Sequence, residues 1–309
     1  MTDTASQTIT TAVATRVGTA LDNADASRVY VLADGTVGAA VIDGIGHGPH
    51  TSRTAPLLAE TAARLSARRG PLAGLLGAAE LVADEGVDGD EADAVAVAVI
   101  LRPGSRQARA AWVGDARAYG WDGTTLTLYT TDQTMGQWAR LHGDIPIEVA
   151  AHHDAWVRVS LSQATVATVG EVGIDDHLIL ITSDGIHDQI EHTALESLVR
   201  EHAAAPQALA DALVAAAQPD SDGYRDDATV VVLLIDRTMD GISERAARLR
   251  DAYCLYRAAE ADGVAEASRA AAAMRRFGEA VRRGTDRDIA EHPDLAEVNV
   301  ILDGYYDKP

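Results

Sequence analysis

The sequence predicts an α+β protein: antiparallel sheet covered by helices, followed by a purely helical extension. Three observations predict it. Short apolar runs alternate with turn signals, as hairpins do, at 28–33 and 37–42, at 93–101 and 107–113, and at 116–121 and 124–129. Stretches at 52–69, 71–84, 190–199 and 206–217 place apolar residues at helical spacing. Past Asp236 the strand pattern stops, and Ala, Arg and Glu take over.

The elements follow in order. Residues 1–11 are polar and read as a frayed start, and 11–17 as a first strand. A polar turn carries Asp22 and Asp25. Strand 28–33 meets Asp34 and Gly35, a hairpin turn, and returns as 37–42, ending at Asp43. Two helices come next, broken at Gly70 and Pro71, and then an acidic loop over 84–93. Strands 93–101, 107–113, 116–121 and 124–129 read as a meander. A short helix fits 133–142, and no element is assigned to 152–159. Strand 177–182 ends at Ser183, Asp184 and Gly185; helices 190–199 and 206–217 and an acidic loop lead to the last strand, 228–235. Residues 237–309 read as two or three helices with breaks near Gly263 and Gly284. Their Arg and Glu residues form a solvated, ion-paired face, with a docking surface for a protein partner as the alternative.

Composition narrows the function. The 309 residues suffice for one large domain or two, and 47% hydrophobic content allows a substantial core. With aromatics at only 4%, that core must be Ala, Val, Leu and Ile. A net charge of −21 excludes a phosphate-gripping nucleic-acid binder, which needs clustered Lys and Arg. Cys254 is the only cysteine, so an internal disulfide and a thiolate metal cage are both excluded. The polar start lacks a signal peptide's apolar stretch, and no apolar run reaches the ~18 residues that span a bilayer. These features fit a cytoplasmic protein without a membrane partner.

Acids at strand ends carry the chemistry. Apolar strands run into an acid beside a glycine at Asp43 and Gly44, at Gly114 and Asp115, and at Asp184 and Gly185; Asp226 and Asp227 stand just before a strand, and Asp188 follows Asp184 by four residues. Any one of these is an ordinary turn signal. Together they would place carboxylates on one rim of a sheet without Lys or Arg among them. Such carboxylates repel unless cations lie between them, and hard oxygen ligands select Mg²⁺ or Mn²⁺.

The ordered motifs N-x-D-A (Asn23, Asp25), D-G-x-G-H-G (Asp43 to Gly48), W-V-G-D-A-R-A-Y (Trp112 to Tyr119), T-T-D-Q (Thr130 to Gln133), I-T-S-D-G-I-H-D (Ile181 to Asp188) and D-D-A-T-V-V-V (Asp226 to Val232) resemble the type-2C, metal-dependent protein serine/threonine phosphatases, in their bacterial branch. The resemblance covers roughly residues 8–236. It implies a phosphatase domain over 1–236 that folds as a four-layer αββα sandwich, with two antiparallel sheets face to face and helices outside both. It also implies hydrolysis of phosphoserine and phosphothreonine in proteins by a water shared between two Mg²⁺ or Mn²⁺ ions. In that scheme Asp43 bridges the ions, the Gly44 carbonyl binds one, and Asp184 and Asp226 bind one each. Asp115 and Asp188 match the pair that holds a third ion, and Asp25 acts through bound water. His47 either protonates the leaving oxygen or caps the helix that follows. His50 and His187 read as surface or supporting residues.

The sequence departs from the family at two places. Ala20 stands where most active members carry a phosphate-clamping Arg, and Ala24 where a Glu precedes the N-terminal Asp. Arg16 is the nearby residue that could substitute. Losing a bidentate clamp removes a charge-assisted contact to substrate. The alternative function is therefore a weak or inactive phosphatase-like module that binds a regulatory partner.

Overall fold

The computed structural model describes residues 8–46, 48–83, 92–105, 107–143, 146–219 and 221–236. The chain separates after Asp236 into two units, and the first is the one described. Expectations for the frayed start before residue 8, for His47, for residues 84–91 and for the helices of 237–309 lie outside the described residues.

Two five-stranded sheets form the centre. One takes the order β1 (Thr8–Arg16), β10 (Ala228–Asp236), β9 (Leu178–Thr182), β6 (Arg117–Trp121), β7 (Leu126–Leu128). The other runs β2 (Ala26–Val31), β3 (Val37–Ile45), β4 (Asp93–Leu101), β5 (Ala108–Val113), β8 (Gly170–Ile174). Every strand pair is antiparallel. Helices α1 (Pro49–Arg69) and α2 (Pro71–Ala79) cover the second sheet. Helices α5 (Asp184–His187), α6 (His192–His202) and α7 (Pro206–Ala216) cover the first. The protein is the four-layer αββα sandwich.

The period of two along each strand divides the core into three layers. Val37, Ala39 and Val41 of β3, Val95, Val97 and Val99 of β4, and Ile179, Ile181, Val231 and Leu233 of the facing sheet fill the space between the sheets. The alternate residues Ala40, Ile42, Ala94, Ala96 and Ala98 meet Leu58, Ala59, Ala62 and Leu75 of α1 and α2. Both faces of these strands are covered, so strands such as β9 and β10 read as continuous apolar runs.

Four expectations need correcting. The strands expected as one meander belong to two sheets, because the chain crosses between β5 and β6 at Gly114. That residue has φ +78°, and a Cβ there would meet Val95 Cγ1 at 2.1 Å, so the crossover needs glycine. The strand expected to stop at Asp43 continues to Ile45, held by pairing of Asp43 with Val95 and Ile45 with Asp93. The sequence also hides β8 and helix α4 (Ile147–Ala151), since both are five-residue elements too short to show a period. Finally, α2 ends at Ala79 rather than 84, and a separate short helix, α5, precedes α6.

Candidate functional site

Asp43 shares the parity of Val37, Ala39 and Val41, so its carboxylate points toward the layer between the sheets, at the end of that layer. Gly44 beside it is forced by close approach: a Cβ would lie 2.3 Å from Thr51 Cγ2 and 2.7 Å from the Ala24 carbonyl. From the opposite sheet, Asp184 opens α5 directly after β9, and its backbone N–H donates to Asp43 Oδ2 at 3.3 Å. Asp25 precedes β2, is buried, and accepts from Ser183 Oγ at 2.6 Å. That hydroxyl accepts from the Thr229 N–H at 2.9 Å, so one serine ties the ends of β9 and β10 to the start of β2.

The acids therefore come from both sheets and from the crossover between them, not from the rim of one sheet as the sequence suggested. Each acid bears on the charge of the others. Burial drives the Asp43 carboxyl far above the usual carboxylate range; Asp25 and Asp115 push it further, and the N–H of Asp184 opposes them. Asp184 is raised by burial and then by Asp43, Asp226, Asp115 and Asp188. Asp25 is raised by burial, partly offset by the hydroxyls of Ser183 and Thr229. Asp115 is pushed up to about 6, mainly by burial, with Asp132 and Asp188 adding and Arg117 opposing. Partial desolvation also raises Asp188, although 68% of its side chain is exposed; Asp132, Asp154 and Asp226 add to this and Arg117 opposes it. Among the described residues, no three such side chains are closed around a common point as a formed metal cage.

Three residues inside the quoted motifs have roles that the sequence did not assign. The first is Arg117, which donates to Asp132 through Nε at 2.9 Å and Nη2 at 2.5 Å. A cation therefore stands beside the acids after all, but a partner fifteen residues away holds it. The second is Gln133, whose side chain accepts from the Gly114 N–H at 3.0 Å and donates to the Thr168 carbonyl at 2.7 Å, fixing the crossover that carries Asp115. The third is Asp227. It is 2% exposed, and its two oxygens accept from the backbone N–H groups of Gly18 and Ala24, each at 2.6 Å. Of the Asp226 and Asp227 pair, Asp227 is thus fully used in holding residues 18–24, while half-buried Asp226 adds to the repulsion on Asp184.

The histidines divide. His50 is exposed on the first turn of α1. His187 is buried, with its side chain 3% exposed, its Nδ1 3.4 Å from Thr182 Oγ1, and its basicity lowered well below normal by burial. It is a core histidine, not a surface one. Arg16 does not stand in for the clamp missing at Ala20, because its guanidinium is committed to the carbonyls of Ala215 and Ala217 at the end of α7.

No family model matches the sequence, and no curated protein matches it. Solved structures do match by shape. The serine/threonine phosphatase Stp1 from Staphylococcus aureus superposes with a TM-score of 0.60 at 16% identity, over 74% of this chain and 95% of that one. The PPM Ser/Thr phosphatase MsPP from Mycobacterium smegmatis gives 0.57 at 24% identity, over 73% and 98%. The catalytic domain of the phosphatase PstP, in complex with two manganese ions, gives 0.55 at 22% identity, over 74% and 99%. The fold is that of the bacterial PPM-type serine/threonine phosphatases. Among the described residues no helix is long and apolar enough to cross a membrane.

Proposed function

We propose that this protein is a Mg²⁺- or Mn²⁺-dependent phosphatase that hydrolyses phosphoserine and phosphothreonine in proteins. The observation that carries this reading is the approach of half-buried Asp43 and Asp184 from opposite sheets, with buried Asp25 and Asp115 in the same group. Leaving such carboxylates together without a cation is costly, and the Arg117 guanidinium is held by Asp132. The donor set is hard oxygen, which suits Mg²⁺ and Mn²⁺. In this reading Asp43, the Gly44 carbonyl, Asp184 and Asp226 hold two ions, Asp115 and Asp188 a third, and Asp25 acts through water.

Two ions held by these residues would supply a water of lowered pKa and a grip on phosphate oxygens. The chain's own groups orient this centre. The Asp184 N–H aims the Asp43 carboxylate, the Ser183 hydroxyl aims Asp25, and the Arg117–Asp132 pair sets the field at Asp115 and Asp188. His47 is the proposed proton donor to the leaving oxygen. Residues 1–236 act as the phosphatase domain, and 237–309 as a helical extension open to a protein partner. Hydrolysis of an aryl phosphate with Mn²⁺, measured with and without chelator, tests the reading. Turnover that survives both chelation and Asp184→Asn would overturn it.

A further inference from the structure

Helix α3 (Met135–His142) caps itself: the Thr134 hydroxyl accepts from the Gln137 N–H at 3.2 Å. The four-residue α5 has no side-chain cap and is too short to be stable alone. It is held from outside, by the loop that opens β10. A Cβ on Gly185 would lie 2.0 Å from the Asp227 carbonyl oxygen, so α5 packs directly on that backbone.

Gln189, one residue past Asp188, makes a second link. In the amide orientation that satisfies both partners, its oxygen accepts from the Asp226 N–H at 2.7 Å and its nitrogen donates to the Gln218 carbonyl at 3.1 Å. The reverse orientation would set oxygen against oxygen and N–H against N–H. Both partners are themselves held. The Gln218 side chain donates to the Ala215 carbonyl at 2.7 Å, in the last turn of α7. Asp226 Oδ1 accepts from the Asp227 N–H at 2.8 Å, and the Tyr224 hydroxyl adds a further hydrogen bond to Asp226. The direction of the Asp226 carboxylate is thus set within its own loop. The spacing of that loop from α5 is set by Gly185 and by Gln189. Asp184 opens α5, and Asp188 ends it with its N–H donating to the Asp184 carbonyl at 2.9 Å. One amide therefore joins the backbone that carries Asp184 and Asp188 to the backbone that carries Asp226.

We infer that Gln189 is a positioning residue of the metal centre, which holds Asp226 at the spacing from Asp184 and Asp188 that divalent ions require. The inference rests on the phosphatase reading for the ions and on these hydrogen bonds for the spacing. Mg²⁺ demands near-ideal ligand geometry, and the groups that orient its ligands govern affinity without touching the ion. Without the amide, the Asp226 N–H loses this partner and the loop can drift from α5.

The test reads metal binding apart from chemistry. Mn²⁺ alone is titrated calorimetrically into the full chain and into two variants. Gln189→Met keeps the length and loses both hydrogen bonds; Gln189→Asn keeps the amide but is one methylene short of spanning both partners. The expected result is Mn²⁺ binding weakened about 10-fold in both. The Mn²⁺ concentration for half-maximal turnover of an aryl phosphate should rise by a similar factor. Metal-free melting temperatures are read on the same samples. Melting temperatures that fall while Mn²⁺ affinity stays the same mark a brace of the fold alone and overturn the inference. So does Mn²⁺ affinity indifferent to both substitutions, which leaves the phosphatase reading intact if turnover needs Mn²⁺. Mn²⁺ binding that depends on Gln189, in a chain without metal-dependent turnover, would sink the phosphatase reading and leave the role of Gln189 standing.

Discussion

The floor of the site and the collar around it use the same side chain in opposite ways. In the collar, Asp227 gives both oxygens to backbone N–H groups and Asp132 gives both to a guanidinium, so each carboxylate has its hydrogen-bonding satisfied. On the floor, Asp43 and Asp184 have one long N–H contact between them and several acids nearby, so burial and repulsion both oppose their charge. A buried aspartate is therefore a brace or a liability depending on what faces it. In the proposed reading, a divalent cation offsets that repulsion.

Substitutions can break this contrast. Asp43→Asn is expected to reduce Mn²⁺-dependent phosphatase turnover on the order of 1,000-fold, as loss of a preorganised electrostatic group does. The same change should raise the melting temperature of the metal-free protein, because it removes one member of a repelling set. Asp227→Ala should do the reverse to the fold. It strands the buried N–H of Ala24 and the part-buried N–H of Gly18, at a cost of about 3 kcal/mol read by denaturant titration. If both substitutions shift metal-free stability in the same direction, the distinction between floor and collar is wrong.

The pH response sharpens the same point. The carboxyl of Asp115 is raised to about 6 in the folded protein. A group raised on folding contributes stability that is fully present below its unfolded value and is lost as pH climbs through its folded one. The metal-free protein should therefore lose on the order of 2–3 kcal/mol between pH about 4 and about 6 from this residue, with Asp43, Asp184 and Asp25 acting in the same direction. Cations bind the deprotonated acids, so the stabilisation by Mn²⁺ should be greater at pH 7 than at pH 5 in thermal melts. A smaller Mn²⁺ shift at pH 7 would contradict the arrangement. The smallest expected effect is that of Arg117→Lys. It keeps the charge but loses the two-pronged contact to Asp132, lowering stability by about 1 kcal/mol in the same titration.

Much was legible before any coordinates. Among the described residues, apolar runs bounded by turn signals located nine of the ten strands, and those buried on both faces, such as β4 and β9, are apolar throughout. The strand-end acids Asp43, Asp115 and Asp184 stood out because an acid closing an apolar run needs a reason. The motif order was sufficient to anticipate four layers. What no single-chain pattern could supply is pairing across distance. That β5 and β6 lie in different sheets follows from one glycine crossover. That Arg117 is held by Asp132, and Arg16 by the end of α7, depends on which loops the packing brings together. Asp226 and Asp227 are indistinguishable as letters, and only the closing of residues 18–24 over the last strand decides which is a brace. Sequence period sets which face of a strand is apolar, because that is local stereochemistry; the environment of a charge is set by its neighbours in space, because electrostatics and hydrogen bonding act through distance and not along the chain.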